Sequence, residues 1–540
     1  MKGKKIDTLL INGRIYTMRE EGEWVEAIGI HEGRIVFAGS TTACAACPAE
    51  RIIDLKGKTV LPGFGDSHLH LSAYCQNRET VGLEEAKSME EMIRLMKVRA
   101  AATNEGEWVK GTGFDQTKFS ENRMPTRWDL DRISTDHPIV IRRCCLHVMV
   151  ANSLAIQMAG IGQKELDKYK GLIETEGGGD GFVPNGIFRE GATAIFDAIV
   201  PDPLADPVKR RRNMKATFYE MVSLGLTSVH TYAAKIWNYE EAPETYLELE
   251  ETGDLPLRVV VSLDELFDPE EKPVKKDPYN KVRMGSYKLF TDGSLGARSA
   301  ALTKSYHDDP GNCGISIDRE KLEAQLRKAF QRGLQPAIHA IGDKALDITI
   351  EAIENTLSEQ KNPANLPIRI IHAQLVRRDQ LERLGKLPVV LDVQPVFLCT
   401  DLHWIESRLG KERLRAAYPW KTLTEAGLIL AGGSDCPVES FDPVKGIYAA
   451  VMRQDLNGFP AGGWQPEERL SVFEAISLFT KNIAYTTGDE DVLGTIEAGK
   501  FADLTVLSED PFRVKPDQLK NLIVDMTLVA GKIVYDRSTL

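Results

Sequence analysis

Both ends of the chain alternate apolar and polar residues with a period of two, which is the pattern of half-buried β-strands. Turn signals such as Asn12-Gly13 and Glu32-Gly33 separate short alternating runs within residues 1–60, as they do in β-hairpins. Residues 486–540 have the same character. A sandwich built from residues 1–60 alone would leave strand edges unpaired. We therefore predict one small β-sandwich to which both termini contribute.

The middle of the chain, residues 61–485, alternates short apolar runs with helical patterns. The runs are rich in Val, Ile and Leu and apolar on both faces, as parallel strands covered by helices must be. Ser88-x-x-Glu91 and Ser471-x-x-Glu474 are helix-start signals. Strands alternating with helices in this way predict an α/β fold, a (β/α)₈ TIM barrel. The predicted strands are 60–66, 138–143, 226–231, 286–291, 335–340, 368–373, 388–394 and 428–435.

Two connections in this pattern are too long to be single helices. Residues 71–137 and 144–225 each have room for several elements. We predict that they form an inserted subdomain or long lids over the carboxyl-terminal face of the barrel.

The composition excludes several classes of function. The 540 residues include 67 Lys and Arg against 79 Asp and Glu, a net charge of −12, whereas a nucleic-acid binder needs a basic face. No apolar run reaches the length of a membrane-spanning helix, and the first residues lack the apolar core of a signal peptide. Eight cysteines are few for this length and favour a reducing compartment. We expect a cytoplasmic protein that binds neither nucleic acid nor membranes.

Metal-competent side chains stand at or just past the ends of the predicted barrel strands, where such barrels carry their active sites. His68 and His70 are two residues apart, so both rings face the same side of an extended segment. Each feature alone is also compatible with a structural role, but together they predict a metal centre, since imidazole and carboxylate suit zinc, manganese or iron. The five side chains are His68, His70, His339, His372 and Asp435.

Lys288 ends the predicted strand 286–291. A bare ammonium would repel a metal ion, so one interpretation makes this lysine an ion-pair partner of Asp292 or Asp435. The other is a lysine amine that has captured carbon dioxide, because the resulting carbamate can bridge two metals; the sequence itself cannot display this modification.

With these residues in view, the chain resembles the amidohydrolase superfamily, and within it the branch containing N-substituted formamide deformylases. The resemblance covers nearly the whole chain and is specific for fold and metal chemistry but not for substrate. The resembling segments run from Leu61 to His70, Lys288 to Gly296, His339 to Asp343, His372 to Gln374, Gly433 to Pro437 and Gly494 to Leu504.

The resemblance implies a ligand set and a reaction. It places His68, His70 and Asp435 on one divalent metal, which we expect to be Zn²⁺, with Mn²⁺, Fe²⁺ or Co²⁺ as alternatives. It places His339 and His372 on a second metal, bridged by a carboxylated Lys288, although some members hold a single metal. Glu190 is a rival acidic candidate.

The implied reaction is hydrolysis of a carbon–nitrogen bond in a non-peptide small molecule, an amide or N-substituted formamide, by a metal-activated water. Asp435 is then the catalytic group that carries the proton from water to the leaving nitrogen. Further polar residues near predicted strand ends could contact substrate or order loops. They are His147, His230, Asp292, Arg298 and Gln394.

Two alternatives remain open at this point. The same centre could hydrolyse an ester, lactone or carbamate, since the attacking water would be the same and only the leaving group would differ. A non-catalytic binding protein on an inherited barrel is disfavoured, because such a protein would have no need to retain every proposed ligand. The resemblance also makes a homodimer plausible.

Overall fold

The computed structural model of the protein describes residues 6–44, 48–143, 148–176, 183–232, 243–263 and 280–539. The chain divides into two compact units: residues 1–71 with 215–540, and residues 72–214. The first contains the barrel and the sandwich, and the second is the inserted segment. No helix among the described residues has both the length and the apolar character needed to cross a membrane.

Eight parallel strands form the central sheet of the first unit, and the predicted (β/α)₈ barrel is confirmed. Neighbouring strands pair in chain order, with the strand nearest the amino terminus at one end of the ladder and the last strand at the other. The strands are almost wholly buried, as a sheet covered by helices requires. Barrel strands one to eight are Phe64–Leu69, Leu226–Tyr232, Arg258–Leu263, Val282–Phe290, Pro336–Ala340, Ile368–His372, Val389–Val393 and Leu430–Gly432.

One predicted barrel strand was wrong and another was missed. Ile139–Arg143 lies in the sheet of the inserted unit, where it pairs with Val109–Phe114 and Val148–Ala151. Arg258–Leu263, which none of the predicted strands covers, is barrel strand three. A short apolar run reveals a buried strand but does not reveal which sheet the strand joins. His230 therefore belongs to barrel strand two.

The sandwich draws strands from both ends of the chain, as predicted. Its core contains Leu10, Ile28 and Val60 from the amino-terminal part and Leu504 and Leu528 from the carboxyl-terminal part. One sheet has the order Arg34–Gly39, Ala27–His31, Ile6–Ile11, Ala49–Asp54. The other has the order Lys532–Asp536, Val524–Val529, Leu504–Leu507, Thr59–Pro62, Arg14–Tyr16, Trp24–Val25.

The inserted unit has its own six-stranded mixed sheet and its own apolar core, in which Met92, Met96, Ile139 and Ile141 are buried. Its strand order is Ile173–Glu176, Val183–Arg189, Val148–Ala151, Ile139–Arg143, Val109–Phe114, Val81–Gly82. A separate sheet and core explain why the two long connections in the sequence could not be read as simple crossovers.

The helices of the two units follow the start signals seen in the sequence. Ser88 accepts a hydrogen bond from the backbone N–H of Glu91 at 3.2 Å, and Ser471 accepts one from Glu474 at 3.1 Å. The α-helices are Thr41–Cys44, Leu71–Asn77, Met89–Ala101, Arg127–Asp131, Ser153–Met158, Gln163–Lys168, Ala194–Asp197, Pro207–Ser223, Pro243–Glu251, Arg319–Gln331, Asp343–Glu359, Arg378–Leu384, Leu398–Asp401, Ile405–Leu409, Trp420–Glu425, Pro443–Met452, Val472–Leu478 and Lys481–Thr486.

Candidate metal centre

The ends of barrel strands one and eight bring three ligand-bearing side chains together. Asp435 Oδ1 lies 3.1 Å from Nε2 of His68 and 3.1 Å from Nε2 of His70. All three residues are buried, and their ligand atoms lie within 4.8 Å of one another. The backbone fixes this meeting, because the N–H of Asp435 donates to the carbonyl of His68 at 2.7 Å. Asp435 has a φ of 57°, a left-handed conformation that is uncommon for non-glycine residues and recurs at active sites.

The donor atoms of this group suit a cation. His70 Nδ1 lies 2.8 Å from the carbonyl oxygen of Tyr232, so its proton is on Nδ1 and the lone pair of Nε2 faces Asp435. Asp435 Oδ1 is buried and has no hydrogen-bond partner of ordinary geometry among the residues that the structure describes. A carboxylate oxygen that faces the lone pair of His70 without a proton between them fits a divalent metal ion, and two imidazoles with one carboxylate are zinc-type ligands.

The electrostatics put these groups in the protonation state that binds metal. Burial, together with the nearby Lys288, holds the pKa of His68 well below its usual value. Burial acts to raise the pKa of Asp435, but the adjacent imidazoles of His68 and His70 outweigh it and hold that pKa well below its usual value. At neutral pH, His68 is therefore a neutral imidazole and Asp435 a carboxylate, as metal coordination requires.

Lys288 lies on barrel strand four, beside the three ligands. Its Nζ is 3.3 Å from His68 Nε2 and 5.1 Å from the ring centres of Tyr232 and Phe290. The side chain is buried, and burial lowers the pKa of Lys288 to about 7. A substantial share of this lysine is thus an uncharged amine at neutral pH, and such an amine is nucleophilic.

His339 and His372 form a second pair at the ends of strands five and six. Their ring centres are 4.5 Å apart, and that of His372 is 5.6 Å from that of His68. His372 Nδ1 lies 2.7 Å from Gln394 Oε1, which leaves its Nε2 as the lone-pair atom. His339 Nε2 lies 3.1 Å from the carbonyl of Gly293, which leaves Nδ1 of His339 as its lone-pair atom. The predicted ligands therefore gather at one end of the barrel lumen.

Of the five residues considered for substrate contact, Gln394 and Asp292 are occupied by neighbouring groups. Gln394 orients His372, as just described. Asp292 accepts hydrogen bonds from the backbone N–H groups of Ala301 and Gly342 at 2.9 and 2.8 Å. Its Oδ1 also lies 3.4 Å from His339 Nε2. Asp292 thus ties the loop after strand four to the loop after strand five and to a histidine of the site.

The other three fall elsewhere. Arg298 forms a two-point ion pair with Asp308, at 2.9 and 3.1 Å. His230 is buried in the barrel lumen with its Nδ1 3.2 Å from Arg369, a placement that favours hydrogen bonding over substrate contact. His147 lies outside the described residues. Glu190, the rival acidic ligand, is an exposed residue of the inserted unit.

Sequence reasoning did not single out several buried charges around the site. Asp66 accepts hydrogen bonds from the N–H of His68 at 2.9 Å and from the Ser434 hydroxyl at 2.6 Å. It therefore ties strand one to strand eight, and burial raises its pKa to about 7. Arg369 and Asp392 form an ion pair inside the lumen. The available signal was a charged residue inside an otherwise apolar strand, as in Ile368–His372 and Val389–Val393.

Comparison with known proteins identifies the family. A family model described as the amidohydrolase family matches residues 51–535. The chain belongs to the amidohydrolase family. YtcJ of Bacillus subtilis (strain 168), which carries the name of an amidohydrolase, is 34% identical to this amidohydrolase over 97% of the chain and 99% of the relative. The N-substituted formamide deformylase of Arthrobacter pascens is 26% identical over 98% of this chain and 99% of the relative.

Solved structures agree with the fold of this amidohydrolase. An uncharacterised metal-dependent hydrolase from Pyrococcus horikoshii OT3 matches with a TM-score of 0.77 and 32% identity, over 94% of this chain and 99% of the other. A triazine hydrolase variant matches with a TM-score of 0.54 and 15% identity, over 99% of this chain and 95% of the other. This second likeness concerns the fold alone. This amidohydrolase is thus a hydrolase of a metal-dependent family, with a candidate metal-binding group at its strand ends.

Proposed function

We propose that this amidohydrolase hydrolyses a carbon–nitrogen bond, an amide or N-substituted formamide, in a non-peptide small molecule. The observation that carries the proposal is the single carboxylate oxygen of Asp435 between the Nε2 atoms of two histidines. The formamide deformylase from Arthrobacter pascens, similar over nearly the whole chain, supports the substrate class. Zn²⁺ is the proposed ion because its preferred ligands include imidazole nitrogen and carboxylate oxygen.

In the proposed centre, His68, His70 and Asp435 would hold one ion. The lone-pair atoms of His339 and His372 would be available for a second, and Lys288 would contribute a further ligand as a carbamate. The carbamate forms when the unprotonated amine of Lys288 adds to carbon dioxide and releases one proton. When bound, the ion lowers the pKa of a water molecule towards about 7 and polarises the carbonyl oxygen of the substrate.

The residues of the chain supply the remaining chemistry. Asp435 stays ionised at neutral pH and accepts a proton from the attacking water. It then returns that proton to the nitrogen of the substrate, which cannot leave as an amide anion. The hydrogen bonds of His70 to Tyr232 and of His372 to Gln394 hold both rings in one tautomer throughout.

The test is removal and replacement of metal. Protein stripped with a chelator should contain no metal by elemental analysis and should not hydrolyse a panel of formamides and amides. Addition of Zn²⁺, Mn²⁺ or Co²⁺ should restore turnover. The same panel should include esters, lactones and carbamates, because a preference for these would replace the proposed substrate class and leave the metal chemistry intact. Full activity in verified metal-free protein would contradict the proposal.

A further inference from the structure

An ion pair lies inside the barrel lumen, among the elements that carry the metal centre. Arg369 on strand six places Nε and Nη2 each 2.7 Å from Oδ2 of Asp392 on strand seven. Both side chains are 0% exposed. A buried ion pair often contributes less to stability than apolar residues of the same volume, so stability alone does not explain its presence.

The arginine reaches beyond its ion-pair partner to strand one, at whose end two of the proposed metal ligands lie. Its Nη2 donates a hydrogen bond of 2.6 Å to the carbonyl of Ser67, the residue before His68. Its Nη1 lies 3.2 Å from Nδ1 of His230 on strand two. One guanidinium thus links strands six, seven, one and two. A lysine could not reproduce this, because its single nitrogen lacks the fork of N–H groups that a guanidinium holds in one plane.

The ring of Tyr232 gives Arg369 a second route to the same ligands. The guanidinium carbon of Arg369 is 5.6 Å from the ring centre of Tyr232, and the ring of His68 is 4.4 Å from it. Lys288 Nζ lies 5.1 Å from that ring centre. The backbone carbonyl of the tyrosine accepts the hydrogen bond of His70 Nδ1. Displacement of Arg369 would therefore be transmitted to both histidines at the end of strand one.

We propose that Arg369, held in place by Asp392, is a positioning residue that sets His68 and His70 in their metal-binding geometry. This inference rests on the proposed metal-dependent function. It predicts that the arginine governs metal affinity separately from folding, since its contacts act on the segment that carries the ligands and not on the metal itself.

The test compares Arg369→Lys with a matched control, Arg283→Lys. Arg283 is also a buried barrel arginine in an ion pair, with its Nη1 2.6 Å from Oδ1 of Asp489, but it lies five residues before Lys288, about 16 Å along strand four. Zn²⁺ affinity is measured by competition with a chromophoric chelator, and ligand geometry by the visible spectrum of the Co²⁺ form. Arg369→Lys should bind Zn²⁺ about 10–100-fold more weakly and change the Co²⁺ spectrum. Arg283→Lys should leave both unchanged, whatever its melting temperature.

A second variant keeps the test decisive if Arg369→Lys does not fold. The double substitution Arg369→Met with Asp392→Leu removes both charges and leaves no unpaired ion in the lumen, so it should fold, yet its Zn²⁺ affinity should fall as in Arg369→Lys. Wild-type affinity in both Arg369 variants would overturn the inference alone. A wild-type protein that binds no divalent metal would overturn the proposed function and the inference together.

Discussion

At the scale of single residues, one carboxylate oxygen defines what the strand ends can bind. Asp435 Oδ1 faces two imidazole nitrogens at 3.1 Å, and a hydrogen bond cannot account for its contact with His70, whose proton is on Nδ1. The surroundings fix the tautomer of His70 and keep His68 neutral. Asp435 can therefore serve both as a ligand and as the group that moves a proton, and these two roles can be separated by substitution.

Asp435→Asn should separate them. Asparagine keeps one oxygen that can bind metal but accepts a proton poorly, so the fold and much of the metal should remain. Turnover should fall by about 10²–10⁴-fold, the usual contribution of a positioned general base, mainly in kcat because the proton moves in the transition state. Steady-state kinetics, metal analysis and circular dichroism of the same preparation check this. Near-normal kcat with full metal, or unfolding that parallels the loss of activity, would contradict the role.

Lys288 offers a second prediction at this scale. Its buried, partly unprotonated amine beside His68 should exist as a carbamate when carbon dioxide is present. Protein exchanged into ¹³C-bicarbonate should show a carbamate carbon resonance that Lys288→Ala lacks, and Lys288→Ala should lose turnover and be partly rescued by short carboxylic acids. Lys281→Ala is the control, because its amine binds the carbonyl of Leu255 at 2.7 Å instead. Normal turnover in Lys288→Ala, together with an unchanged ¹³C resonance in that variant, would contradict the assignment of a carbamate to Lys288.

At the scale of elements, apolar runs and helix-start signals gave most of the barrel and the two-part sandwich. These local signals failed where the structure depends on contacts between residues far apart in the sequence. Ile139–Arg143 and Arg258–Leu263 are both short apolar runs, and what separates them is the sheet that each joins, which depends on contacts far away in sequence. A domain with its own core, interrupting a barrel, can contribute strands that look like barrel strands.

The same limit applies to the site. Period-two spacing predicted that His68 and His70 share a face, and strand-end placement predicted which residues meet them, because parallel strands end at one face of a barrel. The partners that orient these residues could not be predicted. The hydrogen bond of His70 goes to a backbone carbonyl of Tyr232, which any residue would supply, and the role of Arg369 depends on four strands that are distant in the chain.

At the scale of the whole chain, buried charges also join the barrel to the sandwich within the first unit. Arg258 on barrel strand three contacts both oxygens of Asp503, with Nε 2.7 Å from Oδ2. Asp503 also accepts a hydrogen bond of 2.7 Å from the N–H of Ala530, and it directly precedes the sandwich strand Leu504–Leu507. The ring of Phe501 lies 4.3 Å from the guanidinium carbon of Arg258. A protein whose two termini build one sandwich thus anchors the late terminus to an early barrel strand.

Asp503→Ala should therefore destabilise the protein without touching the metal centre. The substitution leaves the guanidinium of Arg258, only 3% exposed, without its carboxylate, and an uncompensated buried charge costs about 3–5 kcal/mol. Asp525→Ala is the matched control. Its ion pair with Lys58, at 2.8 Å, involves a lysine that is 44% exposed, and such pairs contribute about 0–1 kcal/mol. Thermal unfolding of the metal-loaded proteins should show a much larger fall in Tm for Asp503→Ala, while both variants keep wild-type Zn²⁺ affinity at 25 °C. Equal Tm values for the two variants would mean that the sandwich does not depend on this anchor. Weakened metal binding in folded Asp503→Ala would mean that the strand ends that carry the metal centre depend on it.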